Sequence, residues 1–455
     1  MMRTSFLRDV AGMVACVAIL VWLSGAPATA GEGPGWSQWR GPDGQGHAPA
    51  ATNLPLVWSE TENIRWKTPL PGRAWSSPVL AGGRLWMTTA VETSLSEEEK
   101  QARLAELKSS PVPLSVSGPV SLRALCVEAE TGKLLHDIEC LRVEKPDPIH
   151  ALNSHASPSP VIDGTRLYCH FGTNGTACVD TTTATLLWTQ TDQHINHENG
   201  PGSTPILFRD RLIFHCDGSD RQYIVALDTA TGNVVWRTDR TGELNADPQL
   251  KKAYGTPVLT ELEGRIVLLS PAADWLYAYD PLDGRELWKI AYGVLGFSIV
   301  PRPVVGHGMV YLSTSFMQPE LLAVKLPQGS AAAEIAWRVK KSVPTMPSPL
   351  LVGQELYIVS DKGVATCLDA VTGDVRWSER LGGNFCSSPL LADGRIYVGN
   401  REGETFVIAP GTSFKLLATN RLEGEIMASP VAVPGTLYLR TDQALYRIEK
   451  PAADR

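Results

Sequence analysis

Residues 369–397 read DAVTGDVRWSERLGGNFCSSPLLADGRIY, and two turns inside that stretch decide the fold. The first turn runs from Asp369 to Gly373. An Asp at a turn's start accepts backbone N–H groups, and a glycine at its end supplies positive φ. Trp377 follows Asp369 by eight residues. The second turn, Asp393-Gly394, separates Pro389-Leu390-Leu391 from Ile396-Tyr397. Short apolar runs joined by Asp-Gly read as a β-hairpin.

The same pair of signals recurs along the chain. Asp180 leads to Trp188, Asp228 to Trp236 and Asp280 to Trp288 with the same eight-residue spacing, and Gly232 and Gly284 repeat Gly373. Glu128 to His136 keeps the spacing with both ends altered. The hairpins start at Pro78, Pro160, Pro205, Pro257, Pro303, Pro349, Pro389 and Pro430; seven follow Ser or Thr, and Pro303 follows Arg302. A period of roughly 40 to 50 residues marks a propeller, solenoid or array. Each unit holds four short strands, and radial closure protects their edges. The expected fold is therefore all-β: an eight-bladed β-propeller of four-stranded antiparallel blades.

The ends of the chain predict how the ring closes. Trp188, Trp377 and Leu417 each come 28 residues after their unit's proline, and the same step from Pro430 would pass the terminal Arg455. Blade eight thus lacks an outer strand. Trp66 precedes Pro78 by twelve residues, as Trp377 precedes Pro389 and Trp337 precedes Pro349. The segment 63–67 should complete blade eight. Trp66, Trp188, Trp236, Trp288, Trp337 and Trp377 are expected to dock blades together, each indole burying apolar surface and keeping one N–H to satisfy.

Residues 1–30 read as a secretory signal peptide. Arg3 and Arg8 begin it, Val10 to Leu23 is apolar but short for a membrane span, and Ala28-Thr29-Ala30 offers a cleavage site. The alternative is an uncleaved anchor. Cleavage before Gly31 implies a soluble periplasmic or extracellular product with no transmembrane span. Residues 31–56 form an N-terminal extension, and 57–450 the propeller. Blade one carries an insertion at about 90–120, where Ser96 with Glu99 predicts a capping box and a short helix. That helix is either a lid or docking element, or a tolerated surface insertion.

Net charge is −7, and removing Arg3, Arg8 and Asp9 takes it to −8. No basic stripe exists to follow a phosphate backbone, which argues against nucleic acid. Cys126, Cys178 and Cys367 sit two residues before the acidic turn residue, where Ala226 and Ala278 stand in other units. A slot that accepts Cys or Ala takes a small apolar side chain. These thiols should be packed rather than paired.

The Asp-x-x-Thr-Gly-x-x-x-Trp element resembles the tryptophan-docking repeat of pyrroloquinoline-quinone-like (PQQ-like) propellers. It is similar to the repeats of quinoprotein alcohol dehydrogenases and of BamB, and the resemblance runs from about Trp58 to Ile448. It implies the fold strongly. For function it implies either a binding scaffold or a dehydrogenase that holds pyrroloquinoline quinone and calcium. Those enzymes stack a disulfide of adjacent cysteines on the cofactor, and no two cysteines are adjacent here.

In a four-stranded blade, the loops leading into the inner strand share one face with the loops joining the two middle strands. That face collects the unusual residues. Incoming loops supply Arg73, Trp75, His150, Asn153, His155, His194, His197, Glu198, Asn199, Asn384 and Phe385, and the middle loops add Arg401. With His170 and His215, six of nine histidines lie there. Such a cluster reads as a ligand or metal pocket beside the axis, or as loop histidines bonded to neighbouring backbone. His197-Glu198 lacks the second histidine of a zinc-protease helix. No catalytic residue is assigned, and the metal is left open. Asp217, Asp220 and Glu198 are the candidate calcium oxygens. The expected function is an exported, non-catalytic scaffold for a protein partner or small ligand at the loop face, with no cofactor. The alternatives are a quinoprotein-type oxidoreductase, or a hydrolase or lyase acting on an extracellular polymer.

Overall fold

The computed structural model describes residues 35–107, 113–314 and 316–451. The signal-peptide reading falls outside them. Eight four-stranded antiparallel sheets follow one another around an axis. Blade six shows the plan: Leu350–Val352, Glu355–Val359, Val364–Asp369 and Val375–Arg380 run from the inner strand to the outer. The two middle strands are almost wholly buried, while the outer strand is mostly exposed. Among the described residues no helix is long and apolar enough to cross a membrane.

The turn chemistry appears as expected. Asp369 Oδ1 accepts the N–H of Val371 and Thr372 at 2.9 Å, and Asp180 and Asp228 do the same at their turns. One register position explains the interchange of Cys and Ala. Cys178, Ala226, Ala278 and Cys367 lie opposite Trp188, Trp236, Trp288 and Trp377, each at a β-bulge between the third and fourth strands. A small side chain leaves room for the indole. The seven described cysteines are all free, and burial pushes the Cys126 and Cys178 thiols up to about 12.

Each indole then leans onto the next blade. Trp188 Nε1 donates to Thr229 O, Trp236 to Pro281 O, Trp337 to Ala370 O and Trp377 to Gly411 O, at 3.0–3.3 Å. The turn glycine is needed twice over. Gly232, Gly284 and Gly373 have φ of +74 to +79°, and a β-carbon on any of them would come within 2.7 Å of the neighbouring indole. Trp288 packs against the core shared by blades four and five.

The ring closes at the expected strand. Ile64–Pro69 pairs antiparallel with Ala444–Ile448, with Thr68 opposite Leu445. Trp66 Nε1 donates to Ala129 O at 3.1 Å, and its indole covers Gly132. Blade eight therefore docks on blade one by the rule that joins the other blades.

The insertion in blade one holds a helix, Glu97–Glu106, with both halves of the Ser96–Glu99 capping box formed. Behind it, Leu114–Ser115 pairs with Ile149–His150 and braces the loop leading into blade two.

The N-terminal extension has a role the repeat does not announce. It crosses the axis on the face of the Asp–Gly turns. Trp36 exchanges two backbone hydrogen bonds with Leu80 of blade one, and Ser37 O accepts from Ile162 N of blade two. Gln45 Oε1 accepts from Val305 N, and Arg40 Nη2 donates to Pro349 O. His47–Ala48 adds a parallel strand to Leu390–Ala392, and Thr52 O accepts from Gly435 N. The segment thus ties blades one, two, five, six, seven and eight together and plugs the turn-face end of the channel.

Candidate functional site

The loop-face end of the axis stays open. It forms a cavity of about 400 Å³ whose wall takes residues from all eight blades and whose floor is Trp39 of the plug. Trp39 Nε1 donates to Ser429 Oγ at 3.2 Å. Trp75, Tyr254, Phe316, Met346 and Met427 make much of the upper wall. No Asp, Glu, Lys or Arg is among the described lining residues. Sites of this size, mostly apolar with a few placed polar groups, suit small ligands or the anchor group of a larger partner.

The neck of the cavity is built by the residues that precede the unit prolines. Ser77 N donates to Ser159 Oγ at 2.8 Å, Ser159 N to Thr204 Oγ1 and Thr204 N to Thr256 Oγ1. Arg302 N donates to Ser348 Oγ, Ser348 N to Ser388 Oγ, Ser388 N to Ser429 Oγ and Ser429 N to Ser77 Oγ. Each blade thus hands one N–H to the next blade's hydroxyl. The chain of bonds breaks only at Arg302, which has no hydroxyl. Its guanidinium reaches instead to Trp39 O and holds the plug.

Four of the residues expected on this face line the cavity: Trp75, His150, Asn153 and Asn199. Trp75 donates its indole N–H to Leu152 O, and Arg73 lies 5.2 Å over its ring while bonding Ala151 O. His150 Nδ1 accepts from Leu152 N, so the neutral ring carries its proton on Nε2. Burial lowers its pKa and favours that neutral form. Asn153 Nδ2 donates to Asn199 O and Pro201 O, and its Oδ1 accepts from Ser154 N and Ser157 Oγ.

The remaining expected residues serve the frame. His155 is buried and held down to about 4 by burial, with Arg73 and Arg103 adding to the effect. His170 is buried against Phe214 and bonds Thr176, and burial holds it at about 3. His194 bonds Thr173, and His197 packs edge-on to Tyr254, whose hydroxyl donates to His197 O. Glu198 pairs with Lys252 at 2.6 Å and accepts from Gln249. Asn384 bonds Glu402, and Arg401 pairs with Glu425 at 3.2 Å. Phe385 is fully buried between blades six and seven.

The candidate calcium oxygens are engaged in the same way. Asp217 forms a bidentate pair with Arg240 at 3.0 and 2.7 Å, both side chains being 1 % exposed. Asp220 accepts from Asn196 N, and Glu198 is held as above. Among the described residues no group of three or more His, Cys, Asp or Glu converges on one point. Pyrroloquinoline quinone carries several carboxylates, and among the described residues no Lys or Arg lines the cavity wall to meet them. The residues present do not fit that cofactor with its metal.

Two elements of this site lie outside what the repeat shows. Trp36 and Trp39, set in a Gly-Pro-rich stretch, are the signal that could have pointed to the plug. The hydroxyl ring is visible as Ser or Thr before seven of the eight unit prolines, but its bonding crosses between blades.

Comparison with known proteins agrees with this architecture. A family model described as "Outer membrane protein assembly factor BamB" matches residues 198–336 and 323–409. The match covers slightly less than half of the chain; together with the eight blades and their docked tryptophans it supports a likeness to the PQQ-like β-propeller repeat family. It is similar to BamB of Legionella pneumophila, 28% identical over 204 residues, 43% of this chain and 50% of that one. BamB of Yersinia pestis is 22% identical over 233 residues, 48% and 54% of the two chains. The chain spans about half the length of these curated relatives. Among solved structures, BamB from Moraxella catarrhalis superposes with a TM-score of 0.51 at 15% identity, over 74% of this chain and 92% of that one. A europium-containing methanol dehydrogenase gives 0.59 at 11% identity, over 90% of each. At such identities the structures share the fold, and fold alone does not carry function.

Proposed function

We propose that the chain is an exported, non-catalytic binding scaffold whose working surface is the loop face. The observation that carries this reading is the axial cavity: every blade contributes to it, and Asp217, Glu198 and Arg401 near it are held in ion pairs. Exposed apolar side chains stand at or near its rim, with Leu152 at 39 %, Phe316 at 55 % and Met317 at 56 %. Exposed apolar patches rimmed by polar residues mark protein- or ligand-docking surfaces. Similarity to an outer membrane protein assembly factor supports a protein partner. The Ala28-Thr29-Ala30 sequence supports export, and N-terminal sequencing of the mature protein should then begin at Gly31.

The test compares the two faces. Alanine at Trp75, Leu152 and Phe316 should reduce recovery of crosslinked partner from the native envelope about tenfold. Alanine at Thr183, Val371 and Val375, near the turn-face rim, should leave it unchanged. Equal effects on both faces would overturn the assignment. Dye-linked turnover of alcohols or sugars with added quinone and calcium should be absent; sustained turnover would replace the scaffold reading with a dehydrogenase.

A further inference from the structure

The neck hydroxyls carry an unused hydrogen-bonding capacity. Ser77, Ser159, Thr204, Thr256, Ser388 and Ser429 line the cavity and are no more than 7 % exposed. Each accepts a backbone N–H from the preceding blade. A hydroxyl has one proton to donate and a second lone pair to accept with. Among the described residues none of the six has an acceptor for its own O–H. His150 likewise presents an Nε2–H with no described acceptor. Buried polar groups are satisfied by protein or by water, so the O–H groups of this ring are available to a ligand that displaces water from the cavity.

The aromatic side chains show the opposite state. The Trp39 and Trp75 N–H groups and the Tyr254 hydroxyl are all engaged, so these rings offer apolar surface to the cavity, with Arg73 already over one face of Trp75. Among the described residues no Asp, Glu, Lys or Arg lines the wall. The complement of this cavity is a neutral molecule with oxygens around its rim and C–H bonds on its faces. A pyranose has that form, and its hydroxyls can both receive the ring's protons and donate to its free lone pairs. An extended peptide segment offers only a carbonyl or two and would leave most of the hydroxyls unmet. A uronic acid would bring a carboxylate to a wall with no cation.

We propose that the axial cavity binds a neutral sugar ring, stacked on Trp39 or Trp75 and bonded to the Ser/Thr neck. The proposal rests on the loop face being a binding surface and names what its deepest part takes. It does not require the partner that meets the rim to be a sugar.

The test titrates the full exported chain, following tryptophan fluorescence and heat. The probes are a panel of neutral hexoses, N-acetylhexosamines and their disaccharides, glucuronic acid and an aromatic tripeptide. The expected result is saturable binding of at least one neutral sugar, one per chain. Affinity should fall about tenfold or more in Trp75→Ala and in Thr256→Val, with glucuronic acid weaker than the matching neutral sugar. Thr256→Val also removes a bond between blades, so its melting curve is measured alongside; Trp75→Ala leaves the neck intact and stands alone if Thr256→Val fails to fold. No sugar binding, sugar binding indifferent to Trp75→Ala, or Trp75-dependent binding of the tripeptide in place of sugars would each overturn the proposal. The last outcome would leave the loop-face scaffold standing. Loss of the face difference in the crosslinking test would remove the scaffold reading itself.

Discussion

The outer ring of this molecule and its axis are built by different rules. On the outside, one device repeats: an acid opens a turn, a glycine ends it, and a tryptophan covers the neighbouring glycine while donating to its turn. At the axis seven of the eight blades keep a hydroxyl before their proline, but the rest is particular to this chain. A plug enters from the N-terminus, Arg302 interrupts the hydroxyl ring to hold it, and loops of unequal length build the opposite mouth. Repetition makes stability approximately a sum of units and interfaces. The departures from repetition gather where a ligand or partner would sit.

The largest expected effect breaks the outer ring. A chain beginning at Arg73 lacks the Ile64–Pro69 strand and the plug. It leaves the edge of blade eight unpaired and Trp58 missing from its core cluster. It should aggregate or lose cooperative unfolding in a denaturant titration. A melt like that of the whole chain would contradict the closure.

Single substitutions sharpen the comparison. Asp217→Asn leaves the Arg240 charge buried without its carboxylate. Breaking such a pair costs about 3–5 kcal/mol, readable as a fall in the denaturation midpoint. Trp66→Ala removes a docked indole, and a large-to-small change at a packed Trp costs about 3 kcal/mol. Trp75→Ala, half-exposed at the mouth, should change stability by less than about 1 kcal/mol. If Trp66 and Trp75 prove equally costly, the division between frame and site fails.

The two ends of the axis should also differ in their response to pH. On the loop face, burial holds His155 at about 4 and His170 at about 3. The unfolded chain takes up those protons near pH 6.5. Their contribution is therefore complete above pH 6.5 and is lost progressively as pH falls toward 4 and 3. On the turn face, the hydrogen bond to Asp43 at 2.7 Å raises His47. Its contribution is complete below pH 6.5 and fades as pH rises through the folded value. Melting temperatures across pH 4 to 8 should show His155→Gln flattening the acid limb and His47→Gln flattening the neutral one. The reverse assignment would contradict the geometry.

The sequence revealed the frame because the frame is periodic. Blade number, the docking tryptophans and the closing strand all follow from spacings such as Asp369 to Trp377 and Trp66 to Pro78. The site was legible only in part. Trp75, His150, Asn153 and Asn199 reach the cavity, whereas His155, His170 and Phe385 turn into the blades. A histidine in a loop reads the same whether it points to the axis or to the core; its direction depends on packing that no spacing encodes. The plug was illegible for a related reason: residues 36–52 contact six blades through a few scattered bonds and match no repeat.

The most direct test of the central claim is native mass spectrometry of the protein purified from its own envelope fraction. The account predicts a chain starting at Gly31 that carries no quinone–metal adduct. Any retained small molecule should be neutral and should be lost on Trp75→Ala. A stoichiometric adduct of quinone with a divalent metal, retained by the native chain, would contradict it.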